Sequence, residues 1–402
     1  MSTLKVLFVD DDPNMLAGLQ RLVRPFRHEW TMRFATSGRQ ALVLLGEEHF
    51  HAIVTDMRMP DMDGGQLLAE VRKRHPDMVR LILSGYSEAE AVMRTIGLAH
   101  QFIAKPCPPQ QLIDILNRSL ALRRLLDSES LRGLLAGIKT LPTPPETYLR
   151  LITYLGDPNA SFSGAASIIE RDVAMTAELL KLTNSAYFAL PARIGSPLQA
   201  IRILGLEVLR SVVLQVGIFQ KFRGKAREAQ TMEAVNRDSF RVAEIARRIA
   251  RLEGFDARAV EDCFCAGMLC SIGALVLLDC LPDQFDQVRA RVQAGEDLID
   301  AEIAELGATH FQVGAYLLGL WGFRHGIVEA VAYVDCPDTL PTNGFDVVGA
   351  VHVARSLAGP FPGFAADAHD EAGRLALAFG YLESVGKQDR FAAWLLEAGE
   401  VV

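Results

Sequence analysis

The stretch VLFVDDDP, residues 6–13, decides the fold of the first third of the chain. Four apolar residues end in three consecutive aspartates, and a proline then stands where a helix could begin. Short apolar runs recur at 52–55, 79–83 and 102–104, with a weaker one at 31–35. Runs of this length without strict alternation are typical of parallel strands that are buried on both faces.

Segments of helical period lie between these runs, at 14–23, 39–45, 65–74, 89–96 and 110–122. This alternation predicts an α/β domain with a doubly wound, five-stranded parallel sheet. The carboxyl ends of such strands meet at one edge of the sheet, where ligands bind. Acidic, hydroxyl and ammonium side chains fall at this predicted edge: Asp10, Asp11, Asp56, Ser84 and Lys105.

The charges at this edge predict a site for a divalent cation and a phosphoryl group. Carboxylates held close together repel one another unless a cation lies among them, and an all-oxygen ligand set favours Mg²⁺. A carboxylate at such a site can attack a phosphoryl donor and form an acyl phosphate. The Lys105 ammonium would offset charge on the transferring oxygens, and the Ser84 hydroxyl could bond the new phosphoryl group.

Residues 1–124 resemble the receiver domain of two-component response regulators. Four motifs in order carry the resemblance: VLFVDDDP (6–13), TDMRMPDMDG (55–64), LILSGYS (81–87) and QFIAKP (101–106). The resemblance implies a phosphoacceptor domain whose partner is a sensor histidine kinase or a phosphotransfer protein, with a small phosphodonor as a substitute.

The same resemblance assigns a role to each residue at the site. It makes Asp56 the phosphoacceptor and Lys105 the lysine that pairs with the phosphate. Ser84 and Phe102 become the switch residues, which would move inward on phosphorylation. The Mg²⁺ ligands that it implies are Asp10, Asp11, Asp56 and the backbone carbonyl of Arg58.

Residues 125–140 are rich in leucine and are predicted to form a helical linker. Leucines at three- and four-residue steps could form a homodimer seam. A helix packed on its own domain explains the same spacing, because Gly133 and Gly137 weaken a long continuous helix. The proline-rich segment 141–145 then breaks the helix and opens the next region.

Residues 141–402 have apolar positions at helical spacing, which predicts an all-helical region without strands. The clearest helices are predicted at 163–182, 198–219, 238–252 and 259–278. This region resembles the HDOD output domain, a relative of the HD metal phosphohydrolases. Its resemblance is carried by residues 141–155, 168–214 and 309–331, with NSAYF (184–188) and AIRILG (200–205) as the most specific parts.

The resemblance also indicates that this region has lost the metal ligands of HD hydrolases. In those enzymes histidines and aspartates converge on the metal before its water becomes nucleophilic. The corresponding positions here are Asp238, Cys270, Ser271 and Arg355. We therefore expect a non-catalytic output domain that binds an unidentified downstream protein. Two alternatives remain open, namely a cyclic-dinucleotide phosphodiesterase and a nucleotide sensor with a degenerate HD pocket.

The composition favours a cytoplasmic protein with no disulfide scaffold, membrane insertion or DNA binding. Of 402 residues, 50% are hydrophobic and 22% are charged, which excludes a disordered chain. The net charge of −8 divides into +2 for residues 1–124 and −10 for residues 125–402, and an acidic surface disfavours a phosphate backbone. The longest uncharged stretch, 263–278, is shorter than a membrane span of about 20 residues. The six cysteines lack metal-ligand spacing and are expected to be reduced core residues.

Overall fold

The computed structural model divides the chain into two units. The first consists of residues 1–139 with 183–193 and 319–322, and the second contains the remaining residues up to 402. The structure describes residues 4–28, 30–85, 98–105, 107–121, 126, 129–138, 141–143, 145–157, 159–184, 193–211, 213, 220–221, 226–341, 344–362 and 375–399.

The first unit is built on a five-stranded sheet. Its strands are Leu4–Val9 (β1), Trp30–Ala35 (β2), Ala52–Asp56 (β3), Val79–Gly85 (β4) and Gln101–Lys105 (β5). All pairs are parallel and the strand order is β2-β1-β3-β4-β5, which confirms the predicted doubly wound α/β fold. Strand β3 is buried along its whole length, and this two-sided burial explains its unalternated apolar run.

Helices lie between these strands and after the last of them, at the predicted places. They are Pro13–Val23 (α1), Gly38–Glu47 (α2), Gly64–Arg74 (α3), Pro109–Ala121 (α4) and Glu129–Gly137 (α5), with a 3-10 turn at Arg24–Phe26. The Asp12 carboxylate caps α1 by accepting the Asn14 N–H at 2.8 Å, and Pro13 is the first helical residue. The helix predicted at 89–96 lies outside the described residues.

Helix α5, in the predicted linker, packs on its own unit. Leu131, Leu135 and Ala136 are buried. The carbonyl oxygen of Ala136 accepts a hydrogen bond from the Arg80 guanidinium at 2.5 Å and lies 3.1 Å from Nε2 of His100. These two leucines are therefore engaged within the chain, which favours the packed helix over the dimer seam.

The second unit is mostly helical, as predicted. Its helices are Pro145–Gly156 (α6), Phe162–Ile169 (α7), Val173–Thr183 (α8), Pro197–Leu204 (α9), Leu206–Ser211 (α10), Ala226–Leu252 (α11), Ala257–Leu269 (α12), Ile272–Cys280 (α13), Pro282–Gln293 (α14), Leu298–Leu306 (α15), His310–Leu320 (α16), His325–Ala332 (α17), Val347–Leu357 (α18), Phe379–Ser384 (α19) and Phe391–Gly399 (α20). Short 3-10 turns lie at Pro337–Thr339 and Gln388–Arg390.

Three of the predicted long helices are interrupted within the described residues. The first is divided before α8, because the Asp172 carboxylate accepts the Met175 N–H at 2.8 Å and starts a new helix. The second is divided at Gly205, whose φ of +78° ends α9. The third is divided at Ser271, which leaves helical geometry between α12 and α13. The apolar period continues across all three breaks, so periodicity alone did not reveal them.

A pair of short strands also corrects the prediction that the second region contains none. Pro142–Thr143 (β6) pairs in parallel with Gln220–Lys221 (β7). Two-residue strands are too short to produce an alternating sequence pattern. This pair anchors the beginning of the second unit, where the Thr143 side chain is fully buried.

One segment of the described chain, Ala257–Cys280, is long and apolar enough to span a membrane by length and composition. It comprises α12 and α13, so it is interrupted rather than continuous. Within the second unit 89% of its most apolar window is buried, which is typical of core helices in globular proteins.

Candidate functional site

The carboxyl ends of β1, β3 and β5 bring Asp10, Asp56 and Lys105 together. The Lys105 Nζ donates a hydrogen bond to Asp10 Oδ2 at 2.9 Å and another to Asp56 Oδ1. Asp10 and Asp56 are only 2% and 7% exposed, whereas the ammonium-bearing side chain is 24% exposed. Two buried carboxylates thus share one ammonium, which leaves this edge of the sheet with unbalanced negative charge.

Backbone groups hold both carboxylates in place. Asp56 Oδ2 accepts the N–H of Arg58 at 2.7 Å, and Asp10 Oδ1 accepts the N–H of Asp12 at 3.0 Å. The loop after β3 approaches closely, since a Cβ at Gly64 would lie 2.2 Å from the backbone oxygen of Asp56. Glycine is the residue that permits this approach, and the loop geometry therefore depends on it.

The pKa values of Asp56 and Lys105 reflect both the burial of these side chains and their contact with one another. Burial raises the pKa of Asp56 and the neighbouring Asp10 carboxylate adds to that effect, while hydrogen bonds from Lys105 and Arg58 oppose it. Burial alone would lower the pKa of Lys105, but its bonds to both carboxylates outweigh this and raise it. The lysine is therefore held charged, and the carboxylates would gain from a further cation.

The donor chemistry at this edge fits a hard divalent cation. Asp10 and Asp56 supply buried carboxylate oxygens, and Asp11 follows on the exposed end of β1. Within the described ranges, however, no three acidic, histidine or cysteine side chains converge closely enough to form a ready-made metal site. The structure thus unites two of the three predicted acidic ligands and leaves Asp11 beside them.

The predicted switch residues lie on the two neighbouring strands. Ser84 is buried at the carboxyl end of β4, in register with Ala104 of β5. Phe102 lies in register with Ile82 and packs, half-buried, against the core of the first unit. Phe102 therefore lies on the strand that carries Lys105, and Ser84 lies on the strand next to it.

The second unit places the degenerate HD positions together as a neutralised pair. Helices α11 and α18 pack side by side, and Arg355 Nη1 donates a hydrogen bond to Asp238 Oδ2. The second terminal nitrogen of Arg355 donates to the Gly359 carbonyl oxygen at 2.7 Å. Burial raises the pKa of Asp238, and the positive charge of Arg355 opposes this rise. A guanidinium thus holds the position that the resemblance assigned to a metal ligand.

The dyad position next to this pair is equally unsuited to a metal. The Cys270 thiol is fully buried and donates to the Gly267 carbonyl oxygen at 3.1 Å, with the Ser271 hydroxyl 3.6 Å away. Burial raises the pKa of Cys270 to about 11, so the thiol stays protonated at neutral pH. A protonated thiol and a serine hydroxyl are poor metal ligands compared with a histidine and an aspartate.

One buried polar pair was not found from the sequence. The Glu302 carboxylate accepts the backbone N–H of His310 at 2.9 Å and lies 2.8 Å from its Nδ1. Both side chains are completely buried. The acidic partner of His310 lies in the preceding helix, beyond the reach of a local sequence pattern.

Comparison with known proteins assigns the two regions to separate families. Residues 6–117 match the response regulator receiver domain, and residues 141–337 match the HDOD domain. The hydrogenase transcriptional regulatory protein HoxA of Bradyrhizobium diazoefficiens is 36% identical over 122 residues, which are 30% of this chain and 24% of the relative. HoxA of Cupriavidus necator is 32% identical over 130 residues, or 32% of this chain and 25% of the relative. The chain thus spans about a quarter of the length of these curated relatives.

Solved structures give similar partial matches. The signal receiver domain of an HD domain-containing protein from Pseudomonas fluorescens is 28% identical, covers 31% of this chain and 98% of its own, and has a TM-score of 0.29. The MmoQ response regulator from Methylococcus capsulatus is 20% identical, covers 64% of this chain and 98% of its own, and has a TM-score of 0.45.

Proposed function

This chain joins a response regulator receiver domain to an HDOD domain, and we propose that it is a response regulator controlled by phosphorylation of Asp56. The observation that carries the proposal is the shared contact of Lys105 with Asp10 and Asp56 at the carboxyl edge of the sheet. Receiver domains interact with sensor kinases or phosphotransfer proteins, and one of these would supply the phosphoryl group.

The chemistry of the first unit follows from this contact. A carboxylate oxygen of Asp56 forms a bond to phosphorus, while the bond to the donor's leaving group breaks and its electron pair departs with that group. Lys105 already touches Asp56 and can pair with the new phosphoryl oxygens. Asp10, Asp11, Asp56 and the Arg58 carbonyl would hold Mg²⁺, which supplies positive charge against the transferring oxygens.

The switch would act through β4 and β5. The buried Ser84 hydroxyl can donate a hydrogen bond to the phosphoryl group, and Phe102, half-buried at the core boundary, would move inward. The expected result is a changed surface on this side of the receiver. Through that change, the phosphorylation state would control what the HDOD domain binds.

We propose that the HDOD domain is a non-catalytic module that binds a downstream protein in the cytoplasm. The buried Asp238–Arg355 pair supports this, since a guanidinium repels a metal cation and satisfies the carboxylate that could have bound one. The phosphodiesterase alternative needs metal-activated water, for which the Cys270 thiol is a poor substitute. The acidic charge of this region supports a protein partner over DNA.

Intact-mass analysis of the full chain after incubation with acetyl phosphate and Mg²⁺ tests the phosphoacceptor. We expect one added phosphoryl group on the wild type and none on Asp56→Asn. Asp61→Asn is the matched control, because Asp61 has a φ of +63° that asparagine also tolerates. Full labelling of Asp56→Asn would reject the assigned nucleophile, and absence of labelling on the wild type would reject the phosphorylation model.

Incubation of the full chain with cyclic dinucleotides and Mn²⁺ or Mg²⁺ tests the output assignment. We expect no hydrolysis product. Turnover by the wild type that disappears in an Asp238→Asn variant would overturn the non-catalytic assignment.

A further inference from the structure

A cavity of about 300 Å³ lies in the second unit beside α15, α16 and α18. Its buried lining includes Phe311, Phe361 and Arg355, and the half-buried Asp335 forms part of the wall. Two exposed carboxylates, those of Asp297 and Asp300, also line it. This volume is at the lower end of the range for small-molecule pockets, which points to a ligand of few atoms.

The charged groups of this cavity favour a cation. Three of its lining residues are aspartates, and among the described lining residues Arg355 alone is basic. The Arg355 guanidinium is already bound to Asp238 and to the Gly359 carbonyl. A nucleotide phosphate would therefore meet several carboxylates and no uncommitted cation among the lining residues that the structure describes.

The half-buried Asp335 carboxylate accepts hydrogen bonds from two donors, of which the Cys336 thiol is a weak one. These donors are the Cys336 thiol, at 3.3 Å from Oδ1, and its own backbone N–H. Burial raises the pKa of Asp335, because neither donor offsets the cost of placing its charge there. A ligand that brings a positive charge and N–H groups would satisfy this carboxylate.

A buried histidine, His310, lies beside the two aromatic residues of the cavity. The Nδ1 of His310 lies 2.8 Å from the Glu302 carboxylate. The other ring nitrogen, Nε2, is buried and has no hydrogen-bond partner in the described part of the chain. The His310 ring centroid lies 3.8 Å from that of Phe311 and 4.8 Å from that of Phe361, both of which line the cavity.

We propose that this cavity binds a small organic cation, an alkyl ammonium or guanidinium compound, with its charge at Asp335 and its apolar part against Phe311 and Phe361. A carboxylate with a weak donor selects a donor-rich ligand, and the two phenylalanine side chains suit the apolar part of that ligand. A metal ion is disfavoured because no three suitable ligand side chains converge within the described ranges. This binding goes beyond the proposed phosphorylation function and does not depend on it.

Isothermal titration calorimetry of the full unphosphorylated chain tests the proposal with agmatine and putrescine as cations. Butanol serves as a neutral compound and cyclic di-GMP as an anionic one. We expect at least one of the two cations to bind, and neither butanol nor cyclic di-GMP to do so. The Asp335→Asn variant, which keeps the shape of the side chain, should weaken cation binding about tenfold or more, the effect of losing a charge-assisted hydrogen bond.

Asp283→Asn is the matched control, because it removes one exposed acid outside the cavity and changes the net charge equally. It should bind the cation as the wild type does. A Phe361→Leu variant gives a second, uncharged perturbation and should also weaken binding. Absence of cation binding, equal affinity of Asp335→Asn and wild type, or binding of cyclic di-GMP in place of the cations would each overturn the proposal.

Discussion

The two units hold buried acids in opposite electrostatic settings. In the receiver, Asp10 and Asp56 share the single ammonium of Lys105 at the edge of a sheet. In the HDOD domain, Asp238 forms a one-to-one ion pair with the Arg355 guanidinium between two packed helices. The receiver arrangement is electrostatically incomplete and can accept a further cation. In the HDOD pair the negative and positive charges balance, so no uncompensated negative charge remains there to attract a metal cation.

The fold explains why the two settings differ. Parallel strands end together at an edge that no helix closes, so charges placed there remain within reach of solvent and ligands. Helices α11 and α18 instead bury their facing side chains, and Arg355 is only 1% exposed. An uncompensated charge in that position would be costly, which makes a one-to-one pair the stable solution.

The largest effect is expected from breaking the HDOD pair. Asp238→Asn leaves the Arg355 guanidinium buried without its counter-charge, which should cost about 3–5 kcal/mol of the free energy of unfolding. Hydrogen–deuterium exchange of peptides from α11 and α18 measures this loss. The double variant Asp238→Leu with Arg355→Met should recover most of it, and a single variant as stable as the wild type would show that the pair is not a closed structural unit.

The receiver site could be predicted because its residues lie at the carboxyl ends of strands or directly after them. Short apolar runs located the strands, and the parallel fold rule then brought Asp10, Asp56 and Lys105 to one edge, although 95 residues separate the first from the last. The hydrogen bonds that Lys105 makes to both carboxylates could not be derived in this way. They depend on side-chain geometry that the strand pattern does not specify.

The HDOD domain yielded less because its decisive features are not local. The resemblance located Asp238 and Arg355, but their pairing depends on how two helices pack, and no helical period encodes that. The breaks at Gly205 and Ser271 lie within apolar patterns that continue across them. Likewise, Glu302 and His310 lie in separate helices, so no helical pattern predicts their buried contact.

Gly64 in the first unit and Gly273 in the second both lie where backbone segments pack closely. A Cβ would lie 2.2 Å from the Asp56 backbone oxygen at Gly64 and 1.9 Å from the His310 backbone oxygen at Gly273. Backbone atoms cannot easily move aside. Alanine at either site should therefore lower the free energy of unfolding of its own unit by about 1–3 kcal/mol, as measured by hydrogen exchange. Gly64→Ala alone should also slow acetyl phosphate labelling, since it displaces the acceptor loop.

The control for both glycines is Gly46→Ala, since a Cβ there would meet nothing within 4 Å. It should leave labelling unchanged and add slightly to stability, as expected for alanine within a helix. Equal labelling rates for Gly64→Ala and the wild type would show that the approach of this loop to β3 does not position the acceptor.

Asp172 is a further buried acid, held by hydrogen bonds and with no ionic partner among the residues that the structure describes. It accepts from the Met175 N–H and the Asn236 amide, and burial raises its pKa to about 7. The native state therefore keeps this proton where the unfolded chain has lost it, so the contribution to stability is full below about pH 4 and is lost as the pH rises towards 7.

This dependence can be measured by comparing wild type with Asp172→Asn in urea at several pH values. The wild-type free energy of unfolding should fall relative to that of the variant by at most about 1.4 kcal/mol per pH unit between about pH 4 and pH 7. Asparagine cannot titrate, so the variant lacks this contribution. Parallel pH profiles for the two proteins would contradict the raised pKa.

The smallest effect on stability is expected from Asp56→Asn, which makes in the receiver the same change that Asp238→Asn makes in the HDOD domain. Asp56→Asn leaves Asp10 and Lys105 as a balanced pair and keeps an oxygen that can accept the Arg58 N–H. Removing the surplus charge should therefore change the free energy of unfolding by less than about 1 kcal/mol, measured by exchange of peptides from β3. A loss as large as that of Asp238→Asn would mean that the receiver acids are a structural network, and the contrast between an incomplete and a completed site would fail.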